Sequence, residues 1–333
     1  MSAVQASMRL TAVVTLDDWV HALAWSPDGG RVAVACADGT VATVDDEERV
    51  IAVQRHSAAA TTVAWSQRGV LASGGEDGCV VIGGQSHKLG PAWVQQVAWR
   101  PDGAMLAAAH RRAVHVLDAD GIELAVSADL PATVACIEWH PRGVEVAAGT
   151  YGGVHLLRGR DAGPARRLFW TGSVLAIAIS PDGRRLAHGN QDASVHFWDL
   201  QRGAELEMWG YVTKVRQLAW RHDGRLLATG GGTSVTVWNF KGRGPAGTRP
   251  EELDHHTEPI TWLGFQPLSP LLASTGHDGI AALWKPGTDD VPLTAVAIDD
   301  RITTAAWSPD GSRLAIGGAS GTVAVAQVEY AKS

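Results

Sequence analysis

One segment of this 333-residue chain is written eight times over. Val20-His-Ala-Leu-Ala-Trp25-Ser-Pro-Asp-Gly29 recurs in edited form as far as Ile302-Thr-Thr-Ala-Ala-Trp307-Ser-Pro-Asp-Gly311. Its anchor falls at Trp25, Trp65, Trp99, Trp139, Ile179, Trp220, Phe265 and Trp307, in steps of 40, 34, 40, 40, 41, 45 and 42 residues. A repeat of this length is one supersecondary unit that cannot bury its apolar face alone, so the copies must stack. The repeat leaves no gap for a boundary, and residues 1–333 read as a single domain.

Each copy has one grammar. An alternating stretch such as Val20–Trp25 reads as a strand. A Ser-Pro-Asp-Gly turn or a relative follows, in which proline presets φ and glycine supplies the left-handed conformation. A second strand such as Leu314-Ala-Ile-Gly317 leads to a tight turn, Asp38-Gly39, Asp77-Gly78 or Asp278-Gly279, and then to a third strand such as Val195-His-Phe-Trp198-Asp199. Asp-Gly between two apolar runs is a hairpin signal. A fourth, more variable strand leads into the next copy. The last copy lacks a fourth strand, and the chain begins with an unassigned one, Leu10–Leu16. Pairing the two would close the assembly and remove its open edge.

These motifs in this order resemble the WD-repeat β-propeller family, over nearly the whole chain. The resemblance implies an all-β propeller, here of eight four-stranded blades closed by the N-terminal strand, with seven blades as the alternative. The Trp-Asp dipeptide is complete only at Trp198-Asp199. The family's His, nine residues before the anchor, is present only at His56 and His256. Its buried pairing with the turn aspartate is therefore implied for His56–Asp77 and His256–Asp278 alone. Apolar packing is expected to replace it elsewhere. The Lys241–Pro250 insertion, rich in Gly and Pro, reads as a loop on the lower rim.

Function is less legible than shape. A net charge of −7 and the lack of a basic stripe argue against nucleic acid as a partner. No apolar run is long enough for a membrane span. Three cysteines at unrelated positions, Cys36, Cys79 and Cys136, suggest neither a disulfide framework nor a metal knuckle, and a cytoplasmic setting is expected. Arginine in excess of lysine, with abundant alanine, suggests a bacterial source. The thirteen histidines are scattered, and no catalytic elbow or phosphate loop occurs, so neither a metal, a cofactor nor an enzyme is expected.

In the family the residue six before each anchor lies at the upper mouth of the central channel. Here that set includes Trp19, Trp93, Lys214 and Arg301. Aromatic residues and arginine carry much of the energy at protein interfaces, so these are the expected partner-binding residues, although the two indoles could simply cap strand ends. Tyr151, His110 and Arg111 are secondary candidates at the variable turns. The expected function is a non-catalytic scaffold, a monomeric ring presenting a rigid upper rim to protein partners. The competing reading is a small-molecule or metal site, possibly enzymatic, in the channel.

Overall fold

The computed structural model describes residues 6–242, 244–288 and 290–330; Arg243 of the insertion lies outside the described residues. Every regular element described is a β-strand, thirty in all, and within each sheet neighbouring strands pair antiparallel. The turns form for the reasons the sequence suggests. At the first, Gly29 adopts φ +73° and donates its N–H to Ser26 O at 2.9 Å, while Asp28 accepts the Gly30 N–H at 3.0 Å. At the second, Gly39 has φ +90° and Asp38 accepts the Thr40 N–H at 2.9 Å.

The strands nearest the channel, one from each copy, stand side by side around it. Their anchor indoles stitch neighbours together. Trp25 Nε1 donates to Ala306 O at 2.9 Å, Trp139 to Ala98 O at 2.8 Å, Trp220 to Ala178 O at 3.0 Å and Trp307 to Gly264 O at 2.9 Å. Each apolar cluster spans two successive copies: Ala107, Ala109 and Val114 pack against Ile137, Trp139 and Val146. Every second strand carries at least one fully buried alanine, from Ala33 to Ala315, a small side chain between two packed neighbours.

The ring closes as expected. Ala6–Thr15 pairs antiparallel with Thr322–Tyr330, Leu10 opposite Ala326 and Val14 opposite Val323, and Leu16 N–H donates to Gly321 O at 2.9 Å.

The expectation of eight separate four-stranded blades is corrected. Hydrogen bonding organises the chain into seven sheets, the alternative number: six of four strands and one of six. The reason lies in the copies anchored at Trp139 and Ile179. Where other copies break between the second and third strands, the strand Glu145–Arg158 passes through Gly152 and Gly153, at φ +91° and +115°, without leaving the sheet. Where other copies break before the next inner strand, Pro164–Ile179 continues, and Ser173 pairs with Tyr151. Two copies thereby share one continuous sheet.

The His–Asp struts are present where implied. His56 Nδ1 lies 3.0 Å from Asp77 Oδ1, and its Nε2 lies 2.8 Å from Ser73 Oγ. His256 Nδ1 lies 3.0 Å from Asp278 Oδ2, its Nε2 reaches Ser274 Oγ at 2.8 Å, and Trp284 Nε1 donates to the same hydroxyl at 2.8 Å. Elsewhere the replacement is not purely apolar, which corrects the expectation. Tyr211 OH pairs with Thr229 Oγ1 at 2.7 Å and accepts Trp238 Nε1–H at 2.8 Å. In the fused sheet His188 Nδ1 lies 2.8 Å from Asn190 Oδ1, and burial pushes that imidazole down to about 3.

A size rule runs through four of the copies. The strut position packs on the end of the second strand, and the two sizes compensate. His56 faces Gly75 and His256 faces Gly276, whereas Gly90 faces His110. A Cβ on Gly276 would lie 2.7 Å from His256 Nδ1, and one on Gly90 would lie 2.6 Å from the His110 ring.

Two outcomes are expected. Gly276→Ala lowers stability by roughly 1–3 kcal/mol, the cost of overpacking a filled core, read as a lower urea midpoint at unchanged slope; no shift would contradict the size rule. Deletion of residues 1–16 exposes the Thr322–Tyr330 edge and is expected to give larger species than the parent on size-exclusion chromatography. A deleted chain that elutes and melts as the parent does would contradict the closure.

Candidate functional site

The upper channel mouth is built by short segments that lead into the inner strands, each pinned by its backbone. Trp19 N–H donates to Asp18 Oδ1 at 2.7 Å, and Trp19 O accepts the Ala37 N–H at 2.9 Å. Arg301 repeats the pattern, its N–H donating to Asp300 Oδ1 at 2.8 Å and its carbonyl accepting the Ala319 N–H at 2.9 Å. The buried residue that follows, Val20 or Ile302, fixes the segment against the sheet, so the residue before it must face outward.

Trp19, Trp93 and Lys214 come together around one cavity of about 740 Å³ at this mouth. Trp19 is 37% exposed and Trp93 50%. The cavity wall adds Arg216, His21 and Gln95, which the sequence reading passed over, and His277 and Glu76 from the turns. Lys214, Arg216 and Arg301 make no ion pair among the described residues, while Glu76 is the single carboxylate in the wall. Arg301 is exposed but does not line the cavity. It stands beside His277, whose pKa is lowered by burial first and by the Arg301 charge second. Thr303 Oγ1 donates to Val20 O at 2.6 Å, so the inner strands that follow Arg301 and Trp19 are adjacent across the seam.

The secondary candidates lie apart. Tyr151 is 59% exposed on the fused sheet and is not in the cavity wall. Arg111 is exposed at a turn with φ +53°. It lines a separate cavity of about 290 Å³ together with Arg112 and His115. His110 departs from its reading as an exposed turn residue. It is 6% exposed, because Gly90 leaves open the space that a strut histidine fills elsewhere, and the His110 ring occupies it. Burial lowers its pKa. Trp170 and Tyr211 are half-buried strut residues; the Trp170 ring lies 4.4 Å from His196.

Among the described residues no group of three His, Cys, Asp or Glu side chains converges in a way that could hold a metal ion. Cys36 and Cys136 are buried, and burial pushes both thiols up to about 12, out of the range of reactive thiolates.

Comparison with known proteins bears on this fold. A model of the WD domain, G-beta repeat, matches residues 166–199, 207–239, 247–285 and 295–325, and a model of the anaphase-promoting complex subunit 4 WD40 domain matches residues 10–68. The chain is 31% identical over 186 residues to Protein HIR1 of Mycosarcoma maydis, covering 47% of this chain and 18% of that protein. It is 26% identical over 172 residues to the human angio-associated migratory cell protein, covering 51% of this chain and 38% of that protein. The chain thus spans well under half the length of these relatives. They are fungal and human, which leaves the expected bacterial source without support. A chain in a structure titled "Crystal Structure of Mitotic Checkpoint Complex" superposes with a TM-score of 0.67 at 23% identity, covering 96% of this chain and 91% of that chain. With repeat models matched along both halves and a propeller-closing strand pair between its ends, the chain belongs to the WD-repeat β-propeller family.

Proposed function

We propose that this protein is a non-catalytic platform that binds protein partners through its upper channel mouth. The observation that carries the reading is the convergence of Trp19, Trp93 and Lys214, from three different copies, on one cavity. Two indoles left half in solvent beside unpaired cations are what a binding face requires and what a strand-end cap does not. The indole supplies area with few rotamers to freeze, and the pinned backbone holds it in place before the partner arrives, so little ordering entropy is lost. Arg301 would extend the contact beyond the cavity, and Tyr151 and Arg111 would act as outlying contacts. The relatives support an interaction role: the structural neighbour comes from a structure titled as a complex. A monomeric ring in the cytoplasm fits the closed strand pairing and the buried, unpaired Cys36 and Cys136.

The test is paired substitution. Trp19→Ala with Trp93→Ala is expected to weaken capture of partner proteins by about 30-fold or more, the equivalent of one interface hot spot, with the thermal midpoint unchanged. Phe169→Ser, which alters a still more exposed aromatic outside the mouth, is expected to leave capture intact. Undiminished capture by the double variant would reject the mouth as the interface.

A further inference from the structure

Halfway down the channel one residue breaks the pattern of the ring. The position before each anchor is alanine in six copies and glycine in a seventh; in the fourth it is Glu138. Its side chain reaches the next inner strand, where Oε2 accepts the Ile179 N–H at 3.0 Å.

Two other copies act as internal controls for what a structural role would require. Gln96, two positions earlier in its own copy, makes the same kind of link, accepting the Ile137 N–H at 2.9 Å, so a neutral amide can span neighbouring inner strands. Phe265, like Ile179, lacks an anchor indole, yet the corresponding residue of the preceding copy remains Ala219. Neither the strand link nor the missing indole calls for a carboxyl group.

What the carboxyl does face is a cavity of about 420 Å³ in the lower half of the channel. That volume lies within the range of about 300–1,000 Å³ typical of ligand pockets. Its wall carries Trp220, Trp262, Phe265 and Trp307, and it reaches Pro181 in the Ser-Pro-Asp-Gly turn on the lower rim. Glu138 is the single ionisable side chain in that wall. The flanking inner strands, Val94–Trp99 and the 174–179 half of the long strand, hold no titratable residue. Cys136, on the same strand, and Arg216, which belongs to the upper cavity, line neither wall of the lower one. Glu138 is half-buried with no compensating charge in that wall, and its desolvation, opposed by the Ile179 N–H, pushes the carboxyl up to about 8.

We propose that this lower cavity binds an organic cation the size of a lysine or arginine side chain, with Glu138 as its counter-ion and aromatic side chains in its wall. An isolated carboxyl in an apolar, aromatic-walled space gains an attractive partner only from a cation, which the rings attract through their quadrupoles as well. The site is independent of the mouth, since the two cavities share no lining residue. Binding draws the proton from Glu138. Affinity is therefore full above pH 8 and falls by about tenfold for each pH unit below it.

Calorimetric titration of the full chain with N-acetyl-arginine methylamide and N-acetyl-lysine methylamide tests the proposal, with the uncharged citrulline analogue as the comparison. At least one cation is expected to bind, and at pH 7 to release close to one proton, read from the dependence of the heat on buffer ionisation. Glu138→Gln keeps the Ile179 link in the manner of Gln96 and is expected to bind at least tenfold more weakly with no proton release. Glu138→Ala, which restores the residue of the sibling copies, is expected to behave likewise. No binding of either cation up to about 10 mM, equal binding of the citrulline analogue, or undiminished binding by Glu138→Gln would each overturn the proposal.

Discussion

The antiparallel pairing of Ala6–Thr15 with Thr322–Tyr330 is the contact on which the rest of the molecule depends. Every other strand pair joins neighbours in sequence and would form in an open, spiralling stack as readily as in a ring. This pair alone joins the two ends of the chain. It brings the first and last inner strands together, where Trp25 Nε1 bonds to Ala306 O and Thr303 Oγ1 to Val20 O. On the lower side Arg313 lies 4.6 Å over the Trp25 ring and donates to Gly29 O at 2.6 Å. A channel with a defined mouth, and hence any site assembled from distant copies, exists only because this seam is closed.

Closure also demands that all copies have nearly the same thickness, although their sequences differ. The strut position shows how that is achieved. A histidine over glycine, a glycine under histidine, and a tyrosine over Gly231 all fill the same depth. The polar members are satisfied by different partners in each case, Asp77 or Asp278 for the histidines and Thr229 for Tyr211. The family motif is one solution to a volume constraint, and this chain uses several. That is why a single complete Trp-Asp dipeptide is compatible with a regular ring.

Features determined within a few residues were legible in the sequence. Asp38-Gly39 and Ser26–Gly29 specify their turns by local backbone chemistry, and alternation specifies the strands between them. Closure was legible too, because an unpaired strand stands at each end. What escaped depends on residues far apart. Fusion of two copies into a six-stranded sheet follows from Gly152-Gly153 allowing the chain to turn within the sheet, which resembles an ordinary hairpin when read in one copy alone. The burial of His110 depends on a glycine twenty residues earlier, at position 90 in the connection that follows the Gln85–Lys88 strand. Trp19, Trp93 and Lys214 were found by counting back from the anchor, whereas Arg216 sits off that count and was missed. Glu138 carried a signal that the same alignment of copies contains: a charged residue in a column otherwise filled by alanine and glycine.

Repetition itself explains where chemistry resides in such a fold. A position shared by most copies must satisfy the ring, and its side chain is determined by volume and by the strand links. A residue that one copy alone carries is free of that demand, or else violates it at a cost. Lys214 belongs to the first kind, exposed where the scaffold is indifferent to its identity. Glu138 belongs to the second, a carboxyl held in an apolar channel whose burial opposes its charge. The mouth can change its partner by substitution without touching the core. The lower cavity cannot, because its wall includes the anchor indoles Trp220 and Trp307, which hold neighbouring inner strands together. Selectivity at the upper mouth is therefore separable from stability, whereas in the lower half of the channel the two are carried by the same side chains.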